Sequence, residues 1–445
     1  MAFDALMRKA LLVGVCAGFA WSVPVLAQTA PPTEADLDRA FQKVLADPSD
    51  LDAAFEYAGI ASAMGDYEAA ISSLERMLIY NPDLPRVHAE LGVLYFRLKS
   101  YGAAKSYFQQ ALAAPDVPDS VRERVNGYLK EINRAKAKNR FAYSITGGVR
   151  YQSNANSSPG ATVLFSDIPV QLDSQFRKES DVNIFASGTF RHQYDFGGQN
   201  GDYLETNINT YLTRQFTVDN LDYIFFQGNS GPVLHLGPES GITLRPYLTA
   251  SYLMLSESPY QQTLGGGARL GIPLNDRISL GLETSGRYLD YRSSGDRPTA
   301  DELDSHELFT SADLTFLALP NVQLTGGAQA RFINAREDFQ TYQEVGFSFG
   351  ATVSFAAPVN LADGKSRWTF VLDTQGLVRD YDAPNTIVSA ETREETEVRA
   401  NAQVYAPVSA NVSLFSGVGW RNISANIPNY EFENFTVMGG VSARF

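Results

Sequence analysis

Residues 435–445 have the sequence Phe-Thr-Val-Met-Gly-Gly-Val-Ser-Ala-Arg-Phe. Counting back from Phe445 in steps of two, Val441 and Val437 fall on one side, whereas the intervening residues include Arg444 and other polar or small side chains. A period of two is the period of a β-strand, in which successive side chains point to opposite faces. The stretch therefore predicts a strand that has one apolar face and ends on an aromatic residue.

The same alternation recurs from Phe141 onward. Between residues 392 and 406, apolar or small residues alternate with charged and amide side chains. Strands of a membrane-spanning barrel have this pattern, because one face meets lipid and the other meets a polar lumen. We therefore expect a set of charged residues to face a lumen, namely Glu283, Arg287, Glu395, Glu397 and Arg399.

Fourteen segments alternate in this way. They occupy residues 141–151, 181–195, 202–217, 220–236, 241–257, 260–274, 276–293, 304–319, 321–336, 339–356, 365–381, 391–407, 409–424 and 432–445. An even number suits a closed antiparallel barrel, and the long connections fall on one side of the series while proline-containing turns fall on the other. A soluble β-sandwich would alternate in the same way, so the choice between the two depends on other signals.

The first residues supply one such signal. Arg8 and Lys9 precede an apolar run from Ala10 to Trp21, and a small-residue cleavage pattern ends at Ala27. This pattern predicts a secretory signal peptide over residues 1–27. The single cysteine lies within the run, so the mature chain is expected to have no disulfide, thiolate metal site or cysteine nucleophile. The formal net charge of −14 also argues against a nucleic-acid partner.

Residues 34–138 differ from the rest, with a helical period and a repeat spacing of 34 residues. The second copy begins Leu91-Gly92 and resembles the tetratricopeptide consensus, which predicts a short all-α array before the barrel domain of residues 139–445. We expect a partner-binding groove on its first helices, with a spacer role as the alternative. The residues expected to line this groove are Phe55, Arg86, Phe96 and Arg97.

Candidate catalytic patterns are weak. The four histidines have no ligand-like spacing, and the triple glycine at 265–267 has neither the following helix nor the lysine of a phosphate loop. Glu395 and Glu397 share a face, as in a glycosidase, but ion pairs with neighbouring arginines explain them better. We expect no enzyme activity, no cofactor and no metal.

The terminal strand resembles the closing strand of a bacterial outer-membrane β-barrel, whose last aromatic residue is read by the barrel-assembly machinery. That resemblance implies an assembly signal formed by Phe445, Val441 and Val437. The predicted fold is thus a short tetratricopeptide repeat array followed by a 14-stranded antiparallel transmembrane β-barrel in outer-membrane lipid, with the repeats in the periplasm.

The whole organisation resembles the surface lipoprotein assembly modulator family of outer-membrane translocators. The sharpest local likeness is residues 147–156, which contain Asn154 and Asn156 in an aromatic-x-x-Asn-x-Asn segment. The resemblance implies export or surface display of a client lipoprotein or secreted protein, although the repeat region is short for that family. Two alternatives stay open, namely an exopolysaccharide export porin with a repeat scaffold, and a passive porin.

Overall fold

The computed structural model describes residues 32–114, 117–237, 240–361 and 367–445. The predicted signal peptide, residues 1–27, lies outside the described residues. The described chain forms two compact units, a helical one that ends at Ala137 and a second one that begins at Lys138. Each is described by itself below.

Six helices make up the described part of the first unit. They are α1 (Glu34–Ala46), α2 (Leu51–Met64), α3 (Tyr67–Tyr80), α4 (Pro85–Arg97), α5 (Tyr101–Ala113) and α6 (Asp119–Lys136). Local sequence explains the boundaries, because the Asp50 carboxylate caps the first amides of α2 and Gly65 ends this helix at φ +88°. None of the helices in the described ranges is both long and apolar enough to cross a membrane.

The helices pack through small residues. Gly92 on α4 lies against the ring of Phe108 on α5, and a Cβ atom added at Gly92 would stand 2.5 Å from two ring carbons. Phe108 is fully buried, together with Ala104 and Ala111 on the same face of α5. The glycine therefore sets how closely the two helices of this repeat approach.

Fourteen strands of the second unit close into an antiparallel barrel, and two short strands form a separate hairpin. The barrel strands are β1 (Asn139–Gln152), β4 (Asp181–Asp195), β5 (Tyr203–Gln215), β6 (Tyr223–His235), β7 (Thr243–Leu255), β8 (Ser258–Asn275), β9 (Ile278–Tyr291), β10 (Ser305–Leu319), β11 (Val322–Ala335), β12 (Tyr342–Ala356), β13 (Arg367–Tyr381), β14 (Glu394–Pro407), β15 (Val412–Ala425) and β16 (Phe432–Arg444), and the hairpin is β2 (Thr162–Phe165) with β3 (Ile168–Gln171). The predicted fold class is confirmed.

The two faces of the barrel wall differ as the alternation predicts. Large apolar side chains such as Leu248, Leu264 and Val418 are exposed on the outer face. Charged and amide side chains alternate with them and face the lumen, as Glu397 and Arg399 do on β14. An apolar band outside a fully paired backbone is what a bilayer requires of a β-structure.

The barrel closes where β1 pairs with β16. Gly148 lies opposite Gly440, and a Cβ atom on Gly440 would stand 2.1 Å from the carbonyl oxygen of Gly147, so glycines permit the two backbones to approach. Phe445 exchanges backbone hydrogen bonds of 2.9 and 3.0 Å with Tyr143, and their rings stack. The predicted assembly signal lies entirely on the outer face, where Phe445, Val441 and Val437 are exposed.

The two ends of the barrel also differ. The three longest connections, residues 153–180, 292–304 and 382–393, lie at the same end, which we call the long-loop end. The opposite end, where β1 begins, is the short-turn end. The tight turn Ser256-Glu257 is an exception at the long-loop end, and both its residues have positive φ. In outer-membrane barrels the longer loops usually face the cell exterior.

Candidate functional site

A row of ion pairs crosses seven consecutive strands on the lumen face, close to the long-loop end. Four of the five cations come from the odd-numbered strands β9, β11, β13 and β15. The four anions come from the even-numbered strands β10, β12 and β14, and β14 also carries the fifth cation, Arg399. We call this set the ion-pair ladder. Its members are Arg287, Glu307, Arg331, Glu344, Arg379, Glu395, Glu397, Arg399 and Arg421.

Strand register explains the ladder. Arg287 lies directly opposite Glu307, and Arg379 lies directly opposite both Glu344 on one side and Glu395 on the other. Opposite charges at directly facing positions stabilise an antiparallel pair. A one-residue slip in any of these strands would send the charged side chain to the lipid face, so the ladder also fixes the register.

Arg379 and Glu397 form the centre of the ladder. The Arg379 guanidinium lies 2.6 Å from Glu344, 3.1 Å from Glu395 and 2.7 Å from Glu397. Glu397 also accepts a 2.6 Å hydrogen bond from Nε of Arg421 and a bond from Arg399. Because Glu397 is fully buried, these three cations compensate a charge that would otherwise be very unfavourable there.

A second cluster lies nearer the short-turn end. Arg269 is 3.0 Å from Glu283 and 2.7 Å from Asp313, and the hydroxyl of Tyr247 donates to Glu283. These side chains are part-exposed, in contrast to the carboxylates of the ladder. The lumen wall therefore carries charge at two levels.

The structure places all five predicted lumen residues on the inner face. Glu395, Glu397 and Arg399 meet in the centre of the ladder, Arg287 belongs to its β9 end, and Glu283 belongs to the second cluster. The predicted lumen set omitted five ladder members, although the alternation within β10 to β13 and β15 puts them on the polar face. They are Glu307, Arg331, Glu344, Arg379 and Arg421.

The connection between β1 and β4 is folded rather than open, and it contains the hairpin β2–β3. Asn154, which is buried, bonds its side chain to both backbone groups of Ser158. Asn156 bonds the carbonyl oxygen of Arg177 and the amide of Glu179, which joins the two ends of the connection. The Asn-x-Asn segment thus organises this loop.

The tip of the hairpin is attached to the connection between β13 and β14. The Ser166 and Asp167 amides donate to the carbonyl oxygens of Ile387 and Val388 at 2.8 and 3.1 Å. The Asp167 carboxylate accepts from the hydroxyl of Ser389, and this bond holds the pKa of Asp167 below its usual range. Both tip residues have positive φ, as in the I′ turns of tight hairpins.

The repeat array contains a second candidate site, which we call the repeat groove. Its cavity, of about 360 Å³, lies between the first helices of two successive repeats, α2 and α4. Phe55, Arg86 and Arg97 line it, and the Arg86 guanidinium lies 4.9 Å from the Phe55 ring centroid. Phe96 does not line the groove but packs against Tyr101 and Tyr128 in the core, because it points to the other side of α4.

Across the described ranges, no group of three or more His, Cys, Asp or Glu side chains is arranged to hold a metal ion. The carboxylates of the ladder are instead engaged by guanidinium groups. Both sites offer hydrogen bonding, ion pairing and apolar contact.

A closed antiparallel barrel with an apolar exterior and a charged interior defines an outer-membrane β-barrel. This one follows a helical repeat array, and residues 61–120 match the tetratricopeptide repeat family model. The barrel is thus one domain of a protein that also carries tetratricopeptide repeats.

Solved structures resemble the two parts separately. An anion-selective porin from Comamonas acidovorans is 10% identical over 69% of this chain and 100% of its own, with a TM-score of 0.35. A bacterial polysaccharide outer membrane secretin is 8% identical over 70% of this chain and 100% of its own, with a TM-score of 0.37. The Yersinia enterocolitica type III secretion chaperone SycD, solved with a translocator peptide, is 19% identical over 23% of this chain and 79% of its own, with a TM-score of 0.21. No curated protein matches the chain.

Proposed function

We propose that the protein is an outer-membrane translocator or assembly factor that helps a client lipoprotein or secreted protein reach the cell surface. The observation that carries the proposal is the repeat groove, a peptide-sized cavity on the same chain as a membrane-spanning barrel. An export factor needs a place to hold its client, and repeat arrays provide concave surfaces that bind partners.

The groove suits one kind of client segment. Its floor and walls include Phe55, Leu94 and Val93, which offer an apolar surface. Arg86 and Arg97 are exposed at its edges, while Glu90 is held by Arg124 at 2.5 Å. An extended peptide with an apolar anchor and a nearby carboxylate would satisfy both features, since arginine binds carboxylates with paired hydrogen bonds.

The barrel would provide the route or the folding template. Strand β1 begins at the short-turn end, which is the periplasmic side in barrels of this kind, so the repeats would meet clients in the periplasm. Fourteen strands enclose a lumen between the filled interior of small barrels and the open channel of large ones. An extended segment fits such a lumen better than a folded domain does.

The test is surface labelling of intact cells that carry either no protein, the wild type, or a groove variant. We expect deletion and the double variant Arg86→Glu/Arg97→Glu to leave a particular client in the periplasm. Arg76→Glu is the matched control, because Arg76 is exposed on α3 and does not line the groove. Unchanged labelling of every surface protein after deletion would refute the proposal.

The same strains separate the alternatives. Loss of an extracellular glycan together with normal protein display would favour polysaccharide export. Steady conductance of the purified protein in a planar bilayer, with no client and with normal display in the deletion strain, would favour a passive porin.

A further inference from the structure

The ion-pair ladder presents cations and carboxylates to the lumen very unequally. Glu397, Glu344 and Glu307 have side chains at most 3% exposed. Arg399 and Arg421 are 39% and 43% exposed. A solute in the lumen therefore meets guanidinium groups, with their carboxylate partners buried behind them.

The local charge balance agrees with this picture. Arg399 and Arg421 lie directly opposite each other on β14 and β15, an arrangement that like charges normally disfavour. Both arginines donate a hydrogen bond from Nε to the same carboxylate, that of Glu397. A third cation, Arg379, also contacts this carboxylate, so one anion is shared by three cations. The ladder as a whole holds five arginines and four glutamates, an excess of one positive charge in a chain whose net charge is −14.

A cavity of about 310 Å³ opens beside Arg399. Ser348, Gln375 and Asn401 contribute hydroxyl and amide groups to it, and Asp373 is the exposed carboxylate that faces Arg399 from this cavity. Guanidinium groups bind carboxylate, sulfate and phosphate through paired hydrogen bonds, and the amides and hydroxyls match the oxygens around such groups.

We infer that Arg399 and Arg421 form an oxyanion-binding site in the lumen, which takes carboxylate, sulfate or phosphate groups on a solute that enters from the long-loop end or passes through. The site belongs to the barrel alone, and the inference does not depend on which client the repeat groove recruits. It can therefore be tested separately from the proposed function. The carboxylate of Asp373 repels an anion at this site and so lowers the affinity of the site for oxyanions.

Isothermal titration of the purified full chain in detergent tests the site. The probes are an acidic oligogalacturonate, a neutral malto-oligosaccharide of the same length, and sodium sulfate. We expect the acidic oligomer to bind and the neutral one not to. Arg399→Gln/Arg421→Gln should weaken binding by about tenfold or more, since charged hydrogen bonds are lost. Asp373→Asn should strengthen it.

Two further variants keep the test decisive. Adding Glu397→Gln to the double variant removes the carboxylate that would otherwise lose two of its partners, and this triple variant should also bind weakly. Arg277→Gln, at an exposed turn of the short-turn end, is the control and should bind as the wild type does.

Displacement of the oligomer by sulfate at equal concentration would identify a small anion as the source, and resistance to sulfate would identify a polymer. No binding by the wild type, equal binding of the neutral oligomer, or wild-type binding by the double variant would overturn the inference.

Discussion

Arg379→Met is expected to destabilise the barrel more than any surface charge substitution. The guanidinium of Arg379 contacts three carboxylates, of which Glu344 and Glu397 are almost completely buried. Methionine keeps much of the side-chain volume but removes every one of these contacts. Breaking a buried ion pair by removing one partner costs about 3–5 kcal/mol, because the remaining charge is left uncompensated.

The lower end of that range applies here. Glu397 retains Arg399 and Arg421, and Glu344 retains Arg331 at 3.8 Å, so part of the charge stays compensated. With a loss of about 3 kcal/mol and a urea m-value of about 3 kcal/mol/M, the unfolding midpoint should fall by about 1 M urea.

Tryptophan fluorescence in lipid vesicles measures this midpoint selectively. The chain has three tryptophans, of which Trp21 lies in the predicted signal peptide while Trp368 and Trp420 lie in β13 and β15. Fluorescence of the mature chain therefore reports on the barrel and not on the repeat array. Arg277→Met, at an exposed turn, should change the midpoint by less than about 0.2 M because exposed charges contribute little.

A second variant separates charge compensation from packing. In Arg379→Met/Glu397→Gln the uncompensated carboxylate at the centre is removed as well, so part of the lost midpoint should return. The reasoning would be refuted if Arg379→Met unfolded at the same urea concentration as Arg277→Met, or if the double variant were less stable by the sum of the two single effects.

Three other predictions follow from the described contacts. Phe445→Asp should reduce the amount of folded barrel in outer-membrane fractions, measured by heat-modifiable gel migration, whereas Phe445→Tyr should not. Gly92→Ala should destabilise the repeat array by about 1–3 kcal/mol in circular dichroism melts, because its Cβ atom would overlap Phe108, while Gly102→Ala, which has open space, should not. Because the Ser389 hydroxyl holds the folded pKa of Asp167 below its usual value, the carboxylate bonds should persist at neutral and mildly acidic pH and be lost as pH falls through the folded pKa. Spin labels on the hairpin tip and the 382–393 connection should then separate. Asp167→Asn should remove this pH dependence. Equal spectra of the wild type at every pH would contradict the prediction.

The alternation of apolar and polar residues along the sequence predicted most of the barrel strands. Each of the fourteen barrel strands overlaps one segment recognised from alternation, because every strand must alternate to keep lipid and lumen faces apart. The hairpin β2–β3 within the connection 153–180 was not predicted, since its tip is held by the distant residues Ile387, Val388 and Ser389 rather than by its own alternation.

The sites were predictable in part. The phase of β14 puts Glu397 and Arg399 in the lumen, but sequence alone cannot say that Arg379 would be the group that joins Glu344 to Glu397, because that depends on the register of three strands. In the repeat array, Phe55 and Arg86 followed from repeat position. Phe96 did not, because one step along a helix turns a side chain from the concave face to the core.

The glycine-lined closure between β1 and β16 has a consequence for the order in which the barrel is made. Ser144 pairs with Arg444, and bringing together ends about 300 residues apart costs roughly 4 kcal/mol more in chain entropy than closing a three-residue hairpin turn. Hairpins between neighbouring strands can therefore form early. The β1–β16 pair can form only after β16 has been synthesised and has reached the membrane. Until then the nascent sheet keeps two unpaired edges, and either of them can pair with the edge of a neighbouring chain instead of its own partner.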